Sequence, residues 1–438
     1  MDYRSFAART GSQIELINSD AIIVDCSLKL KPVSYKASGF LQTCIDTNRQ
    51  SQFVPLISPL KPQLFRMNNF YMRQQFSFLK KINLQAKFQL VMSDSWGQGF
   101  PLPITTSERM GLWKAIIDTL YKNVAGLDSN AASEIEWDIW NEFDFAYEKE
   151  PGWPSLFYKL WDSTFIYLRK KGIQRNQIAG PSFGAWRNEL LDFINHAKNA
   201  GTLPGILTWH ELNDVSHTKE FSRHVKKTRE KLFEAGSSET KIYINEYSIG
   251  DYGKSYPHQD ICKLYLNAAY AMRMITNIEN SEVDLAARAC HGYEGGKIPN
   301  HCWKAVLNGL VTDDLQKRSV WWVYQFYGAM SGVTLQTTSP KVDVIASIGN
   351  GTIHVLLGKL NSVSKDEAVT IMNIPKEYVS NGTINTSVRQ IINSDWQPSP
   401  GPIYLSNHVR FPVKNGAVTI PIPNFSENSV VEIKIQKP

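Results

Sequence analysis

Nowhere in this chain are the roughly 18 consecutive apolar residues found that a membrane-spanning helix needs, so the sequence carries no span. Blocks of one charge are missing too. The formal net charge is +6, and basic residues gather only in short clusters such as Arg169-Lys170-Lys171. Nucleic-acid binders concentrate their charge on one stripe, so no nucleic-acid partner is expected and these clusters read as solvated helix faces. The five cysteines (Cys26, Cys44, Cys262, Cys290, Cys302) form no CxxC pair. That argues against a disulfide framework and a structural zinc site; mostly reduced, buried thiols with at most one bridge are expected. No metal or cofactor is expected. The glycines of His291-Gly292-Tyr293-Glu294-Gly295-Gly296-Lys297 lack the spacing of a phosphate-binding loop. Met1-Asp2-Tyr3-Arg4 begins no basic-then-apolar leader. The compartment therefore stays open: extracellular or periplasmic if a leader has been removed, cytoplasmic otherwise.

What is present is an ordinary folded composition, 42% hydrophobic and 20% charged, over 438 residues. That is too long for one core. The texture changes twice. Residues 1–38 hold short alternating stretches around Ile14, Leu16 and Ala21-Ile22-Ile23-Val24. Residues 39–330 alternate short apolar strands with amphipathic stretches, the pattern of a parallel sheet with crossover helices. Eight strands fit, at 40–44, 64–68, 88–94, 136–142, 178–183, 206–212, 242–248 and 285–292. A helix over 155–171 follows the fourth, with Leu156, Leu160, Phe165, Ile166 and Leu168 as its apolar positions. Eight such units close a (β/α)8 barrel of about 250 residues. Residues 331–438 are rich in Val, Ile, Thr and Asn, with turns at Asn350-Gly351, Asn381-Gly382 and Asn415-Gly416; they read as an antiparallel β-sandwich. The first 38 residues are expected to dock onto it, the alternative being a small separate hairpin under the barrel. Sequons begin at Asn350, Asn381, Asn385 and Asn424 and matter only in a eukaryotic secretory route.

Barrel chemistry sits at the C-terminal ends of the strands. Strand four ends Trp140-Asn141-Glu142 and strand seven ends Asn245-Glu246-Tyr247. A carboxylate after an apolar strand is costly to bury unless something uses or pairs it. Two such groups facing one sugar suffice for glycoside hydrolysis, one as proton donor and one as nucleophile. Opposed environments would split their pKa values, and Arg66 on strand two is placed to hold Glu246 ionised. Asn141 is a candidate for the hydroxyl beside the reacting carbon, and Asp94 for another hydroxyl. Trp96, Trp140, Trp209 and Trp303 are candidate groove walls, of which about half would face sugar, since pockets combine aromatic walls with a few polar groups. An aromatic groove points towards internal (endo) cleavage of a polysaccharide or oligosaccharide.

Trp140-Asn141-Glu142 with Ile244-Asn245-Glu246-Tyr247 resembles glycoside hydrolase clan A. The finer pattern is similar to family 39, in particular its bacterial exopolysaccharide-degrading members. That pattern comprises Gly39-Phe40-Leu41, the run from Pro59 to Arg66, Gly180-Pro181-Ser182, Thr208-Trp209-His210 and Asn308-Gly309-Leu310. The resemblance implies a retaining double displacement with Glu142 as acid/base and Glu246 as nucleophile. It places Arg66, Asn141 and His210 around them, with carboxylates about 5–5.5 Å apart. Many relatives carry a tyrosine just after the strand-six histidine. Here Glu211 follows His210, so the partner of the nucleophile stays open, with Glu211 and Tyr247 as stand-ins. The competing readings are a non-catalytic carbohydrate-binding protein on a hydrolase-like barrel, and a metal-dependent hydrolase. The latter lacks the strand-one His-x-His it would need. A monomer is the default.

Overall fold

The structure, a computed structural model, describes residues 21–41, 49–68, 72–82, 85–93, 107–128, 130–149, 152–213, 217–249, 267–289, 307–360, 363–394 and 397–438. Ile14, Leu16, four of the five cysteines, Asp94, Trp96 and Trp303 lie outside them; Cys26 is a buried free thiol. No described helix is long and apolar enough to cross a membrane. The described chain falls into two units.

The first strand, β1 (Ile22–Pro32), precedes eight that close a parallel barrel: β2 (Gly39–Leu41), β3 (Leu64–Met67), β4 (Lys87–Met92), β5 (Ile135–Ile139), β6 (Ile178–Phe183), β7 (Ile206–Asn213), β8 (Lys241–Ile249) and β9 (Leu285–Arg288). Each β2–β9 strand begins within one residue of its expected start. The ring closes through Gly39 opposite Ala287 and Phe40 opposite Arg288. A Cβ on Gly39 would stand 2.2 Å from the Ala286 carbonyl oxygen, so only glycine admits this approach. The expected fourth crossover helix spans Trp153–Lys170 and buries Trp153, Phe157, Leu160, Trp161, Phe165 and Leu168. Ile166, expected on the apolar face, is exposed. The inward stripe falls on the i, i+3, i+4, i+7 sequence that starts at Trp153, and Ile166 is off it. Segment Ile392–Gly401 groups with this barrel unit.

The other unit is one nine-stranded sheet in the order β15-β14-β17-β12-β11-β10-β1-β13-β16. Its further strands are β10 (Val333–Thr338), β11 (Asp343–Gly349), β12 (Thr352–Lys359), β13 (Lys365–Met372), β14 (Thr383–Ile391), β15 (Ile403–Pro412), β16 (Val418–Phe425) and β17 (Ser429–Gln436). Hydrogen bonding runs unbroken through all nine, and the edge strands β15 and β16 meet as the sheet curls over its core. That core is aliphatic: Val24, Ile353, Val355, Val369, Ile371, Ile420 and Ile433 are among its members. Strand β1 pairs antiparallel with β10 and parallel with β13, the one parallel pair in the sheet among the described residues.

Candidate active site

The barrel strands do not simply alternate, and the exceptions build the site. Strand β8 carries one residue more than either neighbour. Trp209 pairs with Ile244 and His210 with Glu246 on one side; Ala286 pairs with Ile244 and Arg288 with Tyr247 on the other. The extra residue is a bulge at Asn245. Tyr243 and Asn245 both point inward, since they bond across the barrel to Glu136 and Asp138 on β5. Plain alternation would then send Glu246 outward; the bulge turns it inward beside Asn245. Strand β6 repeats the device. Pro181 pairs with Thr208 and Phe183 with Trp209, and Ser182 between them takes the left-handed conformation (φ 52°) with its hydroxyl on Asp138. After β5, Trp140 (φ 74°) and Glu142 (φ 52°) are also left-handed. That conformation is uncommon for a residue with a side chain and is found where the surrounding fold over-determines it.

These backbones converge on Arg66 of β3, which is fully buried. Its Nη1 donates to Glu246 Oε1 at 2.5 Å, its Nε to Asp138 Oδ2 at 2.8 Å and its Nη2 to Asn141 Oδ1 at 2.8 Å. His210 Nδ1 lies 2.9 Å from Glu142 Oε1, and its Nε2 lies 3.9 Å from Glu246 Oε1. One carboxylate oxygen each from Glu142 and Glu246 and one His210 nitrogen lie within 4.8 Å of one another. The Glu142 side chain is 30% exposed and that of Glu246 9%, so the pair opens to solvent on the Glu142 side.

Burial raises the pKa of both glutamates. For Glu142 the Arg66 charge pulls the other way. For Glu246, His210 and Arg66 pull down while the Glu142 charge adds to the rise. Two carboxylates this close do not both ionise readily. Arg66 touches only Glu246 of the pair, so the shared charge belongs there. Burial also lowers His210 to about 4, leaving a neutral ring at pH 7. A neutral ring that carries its hydrogen on Nδ1 can donate to Glu142 Oε1, leaving the proton of a protonated Glu142 free on its other oxygen. The three donor atoms are compact enough to be considered for a cation, but Arg66 already occupies Glu246 Oε1 with positive charge, which works against a divalent ion there.

Sequence reasoning missed Asp138, Ser182, Thr208 and Asn245, all buried and joined to one another and to Arg66. The only signal for Asp138 was a charged residue in the middle of an apolar strand. Three expectations need correction. Tyr247, one residue past the bulge, faces away from the barrel axis: its hydroxyl donates to the Ala37 carbonyl at 2.6 Å and meets the Tyr324 hydroxyl on the helix Ser319–Ala329. Glu211 also faces away and is engaged by Trp209 Nε1 and His224 Nδ1, at 2.7 and 2.9 Å. Neither stands beside Glu246; among the described residues, Arg66 and His210 do. Trp140 and Trp209 are fully buried, with Trp140 packed on Trp113 and Phe143, so neither is a groove wall. Aromatic rings follow buried area first.

An eight-stranded parallel barrel with an accessory β-sheet is a fold shared with glycoside hydrolase family 39 enzymes among the solved structures. No protein-family model matches the chain. Among particular proteins, N2152 from Neocallimastix frontalis superposes with a TM-score of 0.76 at 22% identity, covering 96% of this chain and 100% of that one. A family 39 β-xylosidase from Caulobacter crescentus superposes at 0.66 with 14% identity, covering 95% and 99%. At such identities these likenesses establish the fold. A 3-O-α-D-galactosyl-α-L-arabinofuranosidase of Bifidobacterium longum subsp. longum is 27% identical over 258 residues, 56% of this chain. The chain spans about a fifth of the length of that curated relative.

Proposed function

We propose that this protein is a retaining glycoside hydrolase in which Glu246 attacks the anomeric carbon and Glu142 serves as acid/base. The observation that carries the reading is the approach of the two carboxylates to within 4.8 Å at the C-terminal ends of β5 and β8. Inverting enzymes need about 6.5–9.5 Å between them, to admit a water, and retaining enzymes about 5–5.5 Å. In the first step the ionised Glu246 carboxylate attacks while protonated Glu142 gives its proton to the leaving oxygen. In the second, Glu142 takes a proton from water, which displaces Glu246 from the sugar. Arg66 keeps Glu246 aimed, Asn141 is offered to the neighbouring sugar hydroxyl, and neutral His210 holds Glu142 in line.

The names of the similar proteins suggest pentosides as the first substrates to try, with 4-nitrophenyl α-L-arabinofuranoside and β-D-xyloside heading a panel that includes bacterial exopolysaccharides. Product length on polymers separates endo from terminal cleavage. The direct test is a 2-deoxy-2-fluoro glycoside of the sugar that is turned over. It should trap a covalent adduct on Glu246, read by peptide mass. An adduct on another residue, or hydrolysis with inverted stereochemistry, would defeat the reading. Glycan binding without any release of reducing ends would favour the non-catalytic alternative.

A further inference from the structure

Asp138 is fully buried in the middle of β5, and three other strands send donors to it. Oδ2 accepts from Arg66 Nε of β3 at 2.8 Å and from Asn245 Nδ2 of β8 at 3.0 Å, while Oδ1 accepts from the Ser182 hydroxyl of β6. Ser182 is itself fixed by Thr208 of β7, 2.8 Å away. Two of these partners border Glu246: Arg66 bonds it directly, and Asn245 is the bulge residue that turns it inward. One carboxylate thus grips Glu246 from both sides without touching it. It also sits opposite Glu246 on the same guanidinium, so Arg66 shares its charge between the two.

We propose that Asp138 is the positioning residue of this site, holding Arg66 and the Asn245 bulge in place and drawing on Arg66's charge so that Glu246 stays basic enough to attack. The inference rests on the reading of Glu246 as nucleophile. The charged and titratable groups that face this centre among the described residues are Arg66, His210, Glu142, Glu246 and Asp138. Glu136 lies two residues before Asp138 on the same strand, under Tyr243. With Asp138 neutral, the whole Arg66 charge would bear on Glu246. Its carboxylate would become easier to form and weaker as a nucleophile.

The test is the pH profile of Asp138→Asn, with the 4-nitrophenyl glycoside turned over fastest in the panel above. We expect kcat to fall by about 100-fold, the scale of a small misplacement of a reacting group, while KM stays within about threefold. The acidic limb of kcat/KM should move to lower pH by about one unit. Asp138→Glu restores the charge and should return the limb to its wild-type position with only partial recovery of kcat. A limb that does not move in Asp138→Asn overturns the proposal, even if the melting temperature falls, because a purely structural residue would do that. If Asp138→Asn does not fold, Ser182→Ala removes a single donor. A several-fold loss in kcat at constant KM supports the proposal, and an unchanged kcat defeats it. If no glycoside is turned over, it is the functional reading that fails. The Asp138 inference is then read from the pH dependence of carbodiimide labelling at Glu246, which should shift to lower pH in Asp138→Asn and overturns the inference if it does not.

Discussion

Two buried glutamates, one in each unit, sit against an arginine and titrate in opposite directions. Glu246 in the barrel is bonded by Arg66, yet its pKa is raised. Glu432 on β17 is bonded by Arg389 Nε at 2.6 Å and His354 Nε2 at 2.8 Å, with Lys434 Nζ 3.1 Å away. Burial pushes Glu432 up as well, but its hydrogen bond from His354 and the nearby charges outweigh it, leaving the pKa at about 2. Burial lowers the pKa of His354, so at neutral pH its ring is a donor and Arg389 and Lys434 supply the charge. The difference lies in how many anions share each cation. Among the described residues, Arg66 bears on Glu246, Asp138 and, at longer range, Glu142, whereas two cations, Arg389 and Lys434, bear on Glu432. A matched cluster holds a sheet together. A cluster with too few cations keeps a proton available for chemistry.

The same substitution in both places should give crossed results. Glu246→Gln should remove turnover by on the order of 10⁴-fold or more, the scale for losing a nucleophile. It should leave the unfolding midpoint unchanged or higher, because the raised pKa of Glu246 means that keeping it ionised in the fold costs stability. Azide should partly rescue the truncated Glu246→Ala. Glu432→Gln should leave turnover per folded molecule unchanged and cost about 3–5 kcal/mol, as expected when one partner of a buried ion cluster is removed. Steady-state rates paired with urea unfolding read both. A Glu246→Gln variant as destabilised as Glu432→Gln would abolish the distinction.

The sequence made the barrel and its two glutamates legible because both obey short-range rules. Apolar runs of four to eight residues separated by amphipathic stretches announce βα units, and a carboxylate at a strand end is anomalous enough to notice. Arg66 was legible for the same reason. Asp138 was not, because its partners lie on β3, β6 and β8 and nothing local to β5 names them. The bulges at Ser182 and Asn245 add one residue each, which period-two reading cannot see. That single residue explains why Tyr247 was expected at the site and faces away from it. Trp140 and Trp209 failed for another reason: strand-end position says nothing about which way a ring turns. Asp94, Trp96 and Trp303 lie outside the described residues.

A smaller effect sharpens the contrast through pH. Burial raises Glu136 from an ordinary 4.5 to about 7 and Asp144 from an ordinary 3.8 to about 7 in the barrel. A group raised in the folded state contributes stability in full below its unfolded pKa and loses it as pH rises through the folded value. The barrel should therefore weaken between pH 4.5 and 7. Glu432 has the opposite sign: its contribution is present above about pH 4.5 and is lost as pH falls towards 2. Glu136→Gln should flatten the barrel's dependence by roughly 3 kcal/mol across that window, with Asp144 keeping the remaining slope. Urea titrations at pH 4.5 and 7.5 measure it, and a Glu136→Gln slope equal to wild type would show that Glu136 does not carry the raised pKa.

The smallest expected change tests what holds the sheet apart from its ion cluster. Ile433 is fully buried on β17, next to Glu432 but on the opposite face, within the aliphatic core. Ile433→Val should cost about 0.5–1.5 kcal/mol, the usual loss for one buried methyl, and the cost should be the same at pH 3 and pH 7. Glu432→Gln should be less costly at pH 3 than at pH 7, since at pH 3 the unfolded chain already binds the proton while the folded one still resists it. If Ile433→Val were pH-dependent as well, its two faces would not be independent and the charge argument for this sheet would need the core included.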